Sequence, residues 1–492
     1  MPESSWPEND SYNELESLSS LLADLSLSDE SDSPPGKPVK RDRRRRKAAV
    51  VLVMIWSGTI ALHLATWGYW IVLGLTTILG IHAVRFLFAR PGAPPEPLSD
   101  EELATAPLVS IMVAAKNEEA VIGRLVRALC NLDYPSCRYE VWIIDDNSTD
   151  QTPALLNQLA SEYEQLRVFR RSPTAAGGKS GALNQVLPLT KGDVIAVFDA
   201  DAQVPADILR RVVPLFTRPQ VGAVQVRKAI SNLSGNGWIR GQVAEMALDS
   251  FLQQQRIAIG GIGELRGNGQ FVRRLALEQC GGWNEETITD DLDLTFRLHL
   301  NQWDIDFMMV PAVQEEGVTR AIALWHQRNR WAEGGYQRYL DYWQPILNNR
   351  MGSLKTLDLL IFWVIQYVMP TAIVPDLLMA VLRNRPMLMS PLSTITLPLF
   401  IYGMVAGLRQ IRKTQGIDPA ARVEADIAAD SSLPQSRPFI LLGILFQALH
   451  GFVYMFHWLP VVASMTLRIS LRPKRLRWVK TVHHGATDLV AE

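Results

Sequence analysis

The chain lacks the features of several common classes of protein. Its 492 residues include three cysteines, Cys130, Cys137 and Cys280, and none of them forms a CxxC pair. The sequence therefore predicts neither a disulfide framework nor a zinc site. Residues 1–40 have no apolar core, so we expect no cleavable signal peptide there. The net charge of -1 says little by itself, because the charges are unevenly placed.

Acidic and basic residues are separated near the start of the chain. Residues 1–35 are rich in Ser, Asp and Glu and nearly free of aromatic residues, which predicts disorder. A basic run from Arg41 to Lys47 follows, broken only by Asp42. Such a run can be a solvated tail or a nucleic-acid contact. An apolar stretch begins directly after it, so we favour a cytoplasmic membrane anchor and expect no nucleic-acid partner.

Residues 48–90 are strongly apolar and are interrupted near Gly68. Their length predicts a transmembrane hairpin of two spans of about 20 residues each. Arg85 and Arg90 close the second span, which places the end of the hairpin on the cytoplasmic side again.

Residues 346–492 are predicted to form a C-terminal membrane domain with three to four spans and a basic tail. Apolar runs at 357–382 and 392–408 each fit one span, and a polar loop is expected at about 410–437. The run at 439–469 is long for one span, and the basic tail after it favours a hairpin. Asp376 is the charged residue that stands out within these spans, and it is either functional or at a helix end.

Residues 107–345 have the pattern of a soluble α/β domain. Apolar runs of strand length at 108–114, 139–144 and 193–198 alternate with helical patterns at roughly 118–131, 151–163 and 180–187. This alternation predicts a parallel sheet with crossover helices. Asp145 and Asp199 come just after strands, at the edge where open α/β sheets bind ligands.

Asp199 and Asp201 are spaced i, i+2 at a strand end. From a turn, both carboxylates can face one divalent cation such as Mg²⁺ or Mn²⁺, which is often shared with phosphates. The alternative is an aspartate that caps a turn. In the context of the other motifs we favour the metal site.

Two further motifs follow strands or precede helices in the same domain. Asp146 can accept hydrogen bonds from a base or a ribose, or it can belong to a turn before a helix cap. Gly177-Gly178-Lys179 can present a lysine to phosphate, although Pro173 breaks the full Walker pattern. Its alternative is a solvent-exposed turn.

The last two motifs lie before the C-terminal spans. Asp291, in Thr289-Asp290-Asp291, can serve as a general base for an attacking hydroxyl, or it can favour a helix N-terminus. Gln327, Arg330 and Trp331 are spaced i, i+3 and i+4, so a helix would place them on one face. Arg330 can then bind a diphosphate, while Trp331 can stack on a ring or lie at the membrane interface.

Together and in this order, these motifs resemble those of glycosyltransferase family 2. The similarity is to the membrane branch that includes cellulose, hyaluronan and poly-N-acetylglucosamine synthases. It covers residues 107–345 well and the flanking spans loosely. The resemblance implies an α/β GT-A (Rossmann-like) catalytic domain inserted between transmembrane helices. It also implies a UDP-sugar donor, Mg²⁺ or Mn²⁺, and inversion at the sugar carbon.

The resemblance also implies a role for each matching position. These roles are uridine contacts for Glu118 and Asp146, a diphosphate contact for Lys179, metal binding by Asp199 and Asp201, the catalytic base for Asp291, and closure of the site by Gln327, Arg330 and Trp331.

Three departures argue against a processive polymerase. The base motif has Asp290 where Glu is usual, residues 267–270 replace a Cys-containing acceptor motif, and no regulatory domain follows the last spans. The layout is most similar to cyanobacterial lipid glucosyltransferases, which move glucose from UDP-glucose to diacylglycerol. We therefore expect a multi-pass membrane enzyme with its catalytic domain on the cytosolic face. A processive β-glycan synthase is the alternative, and a catalytically silent scaffold is disfavoured by the complete acidic set.

Overall fold

The computed structural model describes residues 39–232, 236–414, 416, 418–428 and 437–471. The predicted disordered tail at 1–35 and the basic C-terminal tail lie outside these residues. Two long helices open the described chain, α1 (Val39–Leu64) and α2 (Gly68–Phe88). The break between them falls where the sequence predicts the turn of a hairpin.

A seven-stranded sheet forms the centre of the following domain. Its strands are β1 (Val109–Ala115), β2 (Tyr139–Asp145), β3 (Leu166–Arg170), β4 (Val194–Phe198), β5 (Val221–Ile230), β6 (Gln270–Arg273) and β7 (Asp304–Glu315). The order across the sheet is β3-β2-β1-β4-β6-β5-β7. β1 pairs in parallel with β2 and β4, as predicted. β6 is antiparallel to both β4 and β5, so the sheet is mixed and the prediction of a purely parallel sheet was incomplete.

Helices cover both faces of this sheet. They are α3 (Asp100–Leu103), α4 (Ile122–Cys130), α5 (Thr152–Glu162), α6 (Gly178–Val186), α7 (Ile208–Val212), α8 (Gly237–Ala258), α9 (Arg274–Gln279), α10 (Asp290–Leu300) and α11 (Ala321–Leu347). The five side chains of β4 are all buried, as expected for a central strand with helices on both sides. Two separate apolar clusters, one on each face, hold most of these helices to the sheet, whereas α8 and α11 belong to clusters shared with helices outside this domain.

The C-terminal part is helical throughout its described residues. It contains α12 (Ser353–Trp363), a π-helical turn (Val364–Val368), α13 (Met369–Arg383), α14 (Ser390–Lys413), α15 (Pro419–Ala428), α16 (Arg437–Met455) and α17 (Trp458–Leu471). α15 falls inside the segment predicted as a polar loop, so that prediction was wrong there. Buried ion pairs of Arg227 with Asp418 and Glu424 anchor this helix region to β5.

Five helical stretches of the described chain are long and apolar enough to cross a membrane. They are Arg43–Leu64, Gly68–Phe88, Ser353–Arg383, Ser390–Lys413 and Ile440–Leu471. These stretches lie on both sides of the α/β domain, as predicted, and the protein is a membrane protein. The last stretch consists of α16 and α17, which pack against different helices. α17 has 14 residues, about 21 Å of helix, which is short of the ~30 Å hydrocarbon layer. The favoured arrangement of four C-terminal spans stays a prediction.

Asp376 serves the packing of these membrane helices. Its Oδ1 lies 2.7 Å from His63 Nε2 and accepts the backbone N–H of Leu388 at 2.8 Å. Its Oδ2 accepts the N–H of Met389 at 3.0 Å. Because these contacts join α1 to the connection between α13 and α14, the structure favours the structural explanation of this charge over the functional one.

Candidate active site

One cavity of about 870 Å³ extends from the edge of the sheet to the membrane helices. Every residue predicted for the site lines it, namely Glu118, Asp146, Lys179, Asp199, Asp201, Asp291, Gln327, Arg330 and Trp331. The sheet brings Glu118, Asp146, Asp199 and Asp201 together, because β1, β2 and β4 are parallel neighbours and end at the same edge. The residues singled out in the sequence thus line one cavity although they come from six separate segments.

Asp199 and Asp201 leave the end of β4 in a turn. Asp199 is partly exposed and forms a 2.5 Å salt bridge with Lys179 Nζ. Asp201 is buried, and its Oδ2 accepts the backbone N–H of Glu316 at 3.2 Å. Burial lowers the pKa of Lys179, but the carboxylates of Asp199, Asp290 and Asp291 outweigh it and hold that pKa above its ordinary value. Lys179 is therefore a fixed cation beside the carboxylate pair.

The glycine loop before Lys179 is held by Arg171, which the sequence analysis missed. The Arg171 guanidinium donates to Asp146 Oδ1 at 2.5 Å and to the carbonyls of Ala176 and Gly178 at 2.5 and 3.3 Å. Gly177 has φ +88°, and a Cβ there would lie 2.4 Å from Glu285 Oε2. Only glycine fits this position without strain. Arg171 therefore joins the Asp146 and Lys179 motifs into one unit.

Glu118 follows β1 and is buried, with 8% of its surface exposed. Its backbone N–H donates to Thr152 Oγ1 at 2.9 Å, while the neighbouring Asn117 accepts from the N–H of Thr149 at 2.8 Å. These bonds fix the turn after β1 against the start of α5. Glu118 and Asp146 consequently lie on adjacent strand ends of the same cavity wall.

Asp291 lies in the first turn of α10. Burial, and next to it the charge of Asp290, raises the pKa of the Asp291 carboxyl to about 6. Lys179 and Lys228 act in the opposite direction. A carboxylate with a pKa near neutrality in a cavity is suited to accept a proton from an attacking hydroxyl.

The loop before Asp291 packs tightly against α11. A Cβ on Gly334 would lie 2.2 Å from Thr289 Oγ1, so glycine is needed for this close approach. Gln327, Arg330 and Trp331 line the cavity from the same helix, as their spacing predicts. Burial lowers the pKa of Arg330, and the charges of Asp199 and Asp291 oppose that shift.

Trp331 is held between two cations that sequence reasoning did not identify. The Arg328 guanidinium lies 4.2 Å and Lys228 Nζ 5.5 Å from the centre of its ring. Arg328 also pairs with Glu245 at 2.5 Å, and Lys228 pairs with Glu315 at 2.9 Å. Arg328 lies within the Gln327–Trp331 motif and could have been noticed. Lys228 and Glu245 carry no local signal, since β5 and α8 were not predicted.

The carboxylate pair fits a metal ion that is bound jointly by the protein and by substrate phosphates, rather than one bound by protein ligands alone. Among the described residues, no group of three or more His, Cys, Asp or Glu side chains is placed to hold a metal ion. The Asp199 and Asp201 side chains carry carboxylate oxygens, the hard donors that Mg²⁺ and Mn²⁺ prefer. Mg²⁺ and related ions are commonly bound by one or two carboxylates together with substrate phosphates, so this donor set suits such an ion.

Comparison with known proteins agrees with this geometry. Residues 106–334 match the family described as "Glycosyltransferase like family 2". The beta-monoglucosyldiacylglycerol synthase of Trichormus variabilis is 60% identical over 491 residues, which are 99% of this chain and 100% of that protein. The chain belongs to glycosyltransferase family 2. The Synechocystis protein of the same name is 53% identical, covering 99% of this chain and 98% of its own length.

The solved structure of the Pyrobaculum calidifontis mannosyltransferase PcManGT, in complex with GDP-Man and Mn²⁺, also resembles this family 2 glycosyltransferase. It is 20% identical, covers 84% of this chain and 99% of its own, and has a TM-score of 0.48. The family match and the observed sheet between layers of helices confirm the predicted family and the predicted α/β GT-A fold class for this chain.

Proposed function

We propose that the protein transfers glucose from UDP-glucose to diacylglycerol, with inversion, and releases β-monoglucosyldiacylglycerol and UDP. The near-full-length 60% identity to a beta-monoglucosyldiacylglycerol synthase supports this substrate pair. The observation that carries the proposal is the shared cavity, in which the carboxylates and the apolar side chains of membrane helices line one space. A sugar nucleotide and a membrane lipid can meet there.

The donor occupies the polar half of the cavity. Glu118 and Asp146 accept hydrogen bonds from the uridine, and Lys179 and Arg330 bind the diphosphate. Asp199 and Asp201 would hold a divalent ion, Mg²⁺ or Mn²⁺, with Asp201 as the direct ligand. When bound, this ion neutralises charge on the leaving diphosphate. Trp331 and Gln327 close the site over the sugar.

The transfer requires one proton acceptor on the other side of the sugar. The free hydroxyl of diacylglycerol attacks C1 of glucose and gives its proton to Asp291. The new C1–O bond forms as the bond from C1 to the phosphate oxygen breaks, and UDP leaves with that electron pair. Because attack and departure occur on opposite faces, an α-linked donor gives a β-linked product.

We infer that the catalytic domain lies on the cytosolic face. The start of α1 carries Arg43 to Lys47, Arg85 lies in the last turn of α2 and Arg90 follows it, so both ends of the hairpin carry the positive charge that favours the cytoplasm. Nucleotide sugars are made and held on that side. An even number of spans before the domain is consistent with this orientation.

The test is product analysis with two donors. Membranes containing the protein are incubated with labelled UDP-glucose or UDP-N-acetylglucosamine, and the products are partitioned between chloroform and water. We expect label from UDP-glucose in a chloroform-soluble lipid with one sugar. Label from either donor in an insoluble or water-soluble polymer would overturn the proposal in favour of a processive synthase.

A further inference from the structure

We propose that the membrane-facing half of the cavity is an acyl-chain chamber for the acceptor lipid, and that Gln366 positions the lipid's polar glycerol region. This inference rests on the proposed function and deepens it. The chamber is defined by Ile365, Pro370, Leu397, Phe400, Met455 and Leu459, which line the cavity. They come from three different membrane segments, so the space lies between helices rather than on the surface of one.

Gln366 lines the same cavity as the chamber residues and the carboxylates. It belongs to the π-helical turn Val364–Val368, a local irregularity that is common at functional sites. The neighbouring Tyr367 donates its hydroxyl to the carbonyl of Ala332, the residue after Trp331, at 3.4 Å. The turn is therefore tied to the helix that closes the sugar site.

The Gln366 side chain has unused hydrogen-bonding capacity. Its Oε1 is buried and has no hydrogen-bond partner among the described residues. Buried polar atoms are almost always paired, so one that lines a cavity without a partner points to a ligand. An amide can accept a bond from a hydroxyl and donate one to an ester carbonyl. A diacylglycerol has one free hydroxyl and two ester carbonyls, so its hydroxyl can donate to Gln366 Oε1 before that proton passes to Asp291, and an ester carbonyl can accept from Nε2.

The apolar side chains that line the chamber determine which class of ligand it favours. Apolar side chains from three membrane segments favour methylene chains over water or sugar. A growing glycan would need polar groups along the chamber. The side chains that define the chamber instead present only hydrocarbon groups and the Met455 sulfur. An occupant must also bring a hydroxyl to Asp291. A lipid with acyl chains and one free hydroxyl meets both requirements.

Acyl-chain selectivity tests the chamber. Leu459→Trp fills part of it, and the matched control Val453→Trp changes a residue that is 68% exposed and lies outside the cavity lining. KM is measured for dioctanoyl- and dioleoylglycerol in micelles. We expect Leu459→Trp to raise KM for the long-chain lipid roughly tenfold more than for the short-chain lipid, with KM for UDP-glucose unchanged. Equal effects of both variants on both lipids would overturn the chamber.

The role of Gln366 needs a readout that separates positioning from folding. We expect Gln366→Leu to raise KM for diacylglycerol while KM for UDP-glucose and the Kd for UDP stay at wild-type values. Loss of donor binding as well would assign Gln366 a structural role and refute positioning.

A crosslinking measurement covers the case in which a variant does not fold. The wild-type protein is irradiated with a diacylglycerol carrying a diazirine at the end of one chain, and labelled peptides are sequenced. We expect label at residues 397–400 and 455–462. Label confined to outward-facing positions such as Phe446 and Val453 would refute the chamber. If the wild-type protein glucosylates no diacylglycerol at all, the proposed function fails and this inference fails with it.

Discussion

Lys179 Nζ and Asp199 Oδ1 are 2.5 Å apart, so the cation of the glycine loop is paired with the first carboxylate of the proposed metal site. The two residues come from α6 and from the end of β4. Their contact joins the proposed diphosphate-binding group to the proposed metal-binding group. Donor binding should therefore depend on Lys179 as much as on the carboxylates.

Removing this cation should weaken binding of the donor. For Lys179→Met we expect a rise of roughly tenfold in Kd for UDP, since a charge-assisted hydrogen bond contributes about 1.5–3 kcal/mol. Isothermal titration with UDP and Mg²⁺ measures the effect. Lys191→Met, which changes an exposed lysine of the same domain, is the control. Equal affinity in both variants would remove Lys179 from the donor site.

Asp201→Ala should abolish transfer while the protein remains inserted and folded. Loss of a metal ligand removes charge stabilisation of the leaving diphosphate, which costs several kcal/mol in the barrier. The matched control is Asp133→Ala, which changes a surface aspartate paired with Arg210. Residual activity above about a tenth, a loss below ~1.4 kcal/mol, would contradict the assignment of Asp201 as a ligand.

Asp291→Asn should lower kcat sharply and leave UDP affinity intact. Asn is nearly isosteric with Asp but cannot take the proton of the acceptor hydroxyl. Steady-state kinetics and UDP titration are done on the same preparation. A parallel collapse of kcat and of UDP affinity would make Asp291 a binding or structural residue instead of the base.

The activity should also depend on pH through Asp291. Its pKa is raised to about 6 by burial and by Asp290, and the base acts only when deprotonated. The rate should therefore fall as pH drops through about 6 and reach a plateau above it. The Asp290→Asn variant lacks one of the charges that raise the pKa of Asp291. The acidic limb of the profile, where the rate falls, should therefore move to lower pH. An unchanged limb in that variant would show that another group controls the profile.

Orientation can be measured with a native cysteine. Cys137 is exposed on the catalytic domain, and Cys280 is replaced by serine to remove the other partly exposed thiol. In intact cells we expect a membrane-impermeant maleimide to label Cys137 only after permeabilisation. Thr66→Cys, at the break between α1 and α2, should be labelled without it. Labelling of Cys137 in intact cells would reverse the proposed orientation.

The sequence predicted the residues that carry strong local patterns. β1, β2 and β4 are short apolar runs, and the acidic residues after them follow from the rule for sheet edges. β5 and β7 escaped prediction because they include Gln225, Arg227 and Asp306, whose polar side chains are paired by tertiary contacts. Such contacts are not visible in a strand's own sequence.

Only some of the residues in the candidate active site could be predicted from the sequence. Each residue of an ordered motif was found, whereas Arg171 and Lys228 were missed. Arg171 acts by holding Asp146 and the glycine loop together, and Lys228 by its pairing with Glu315 beside Trp331. Their positions depend on how distant segments pack, and no spacing in the sequence encodes that.

Determining the structure of the product tests most directly whether the protein makes a single inverting transfer of glucose to diacylglycerol. Purified, delipidated protein is incubated with UDP-glucose, Mg²⁺ and diacylglycerol in micelles, and the chloroform-soluble product is analysed by mass spectrometry and proton NMR. We predict one glucose per diacylglycerol, joined through a β-anomeric linkage, and no product when the lipid is left out. An α-linkage, a ladder of added sugars, or sugar transfer without the lipid would contradict a single inverting transfer to diacylglycerol.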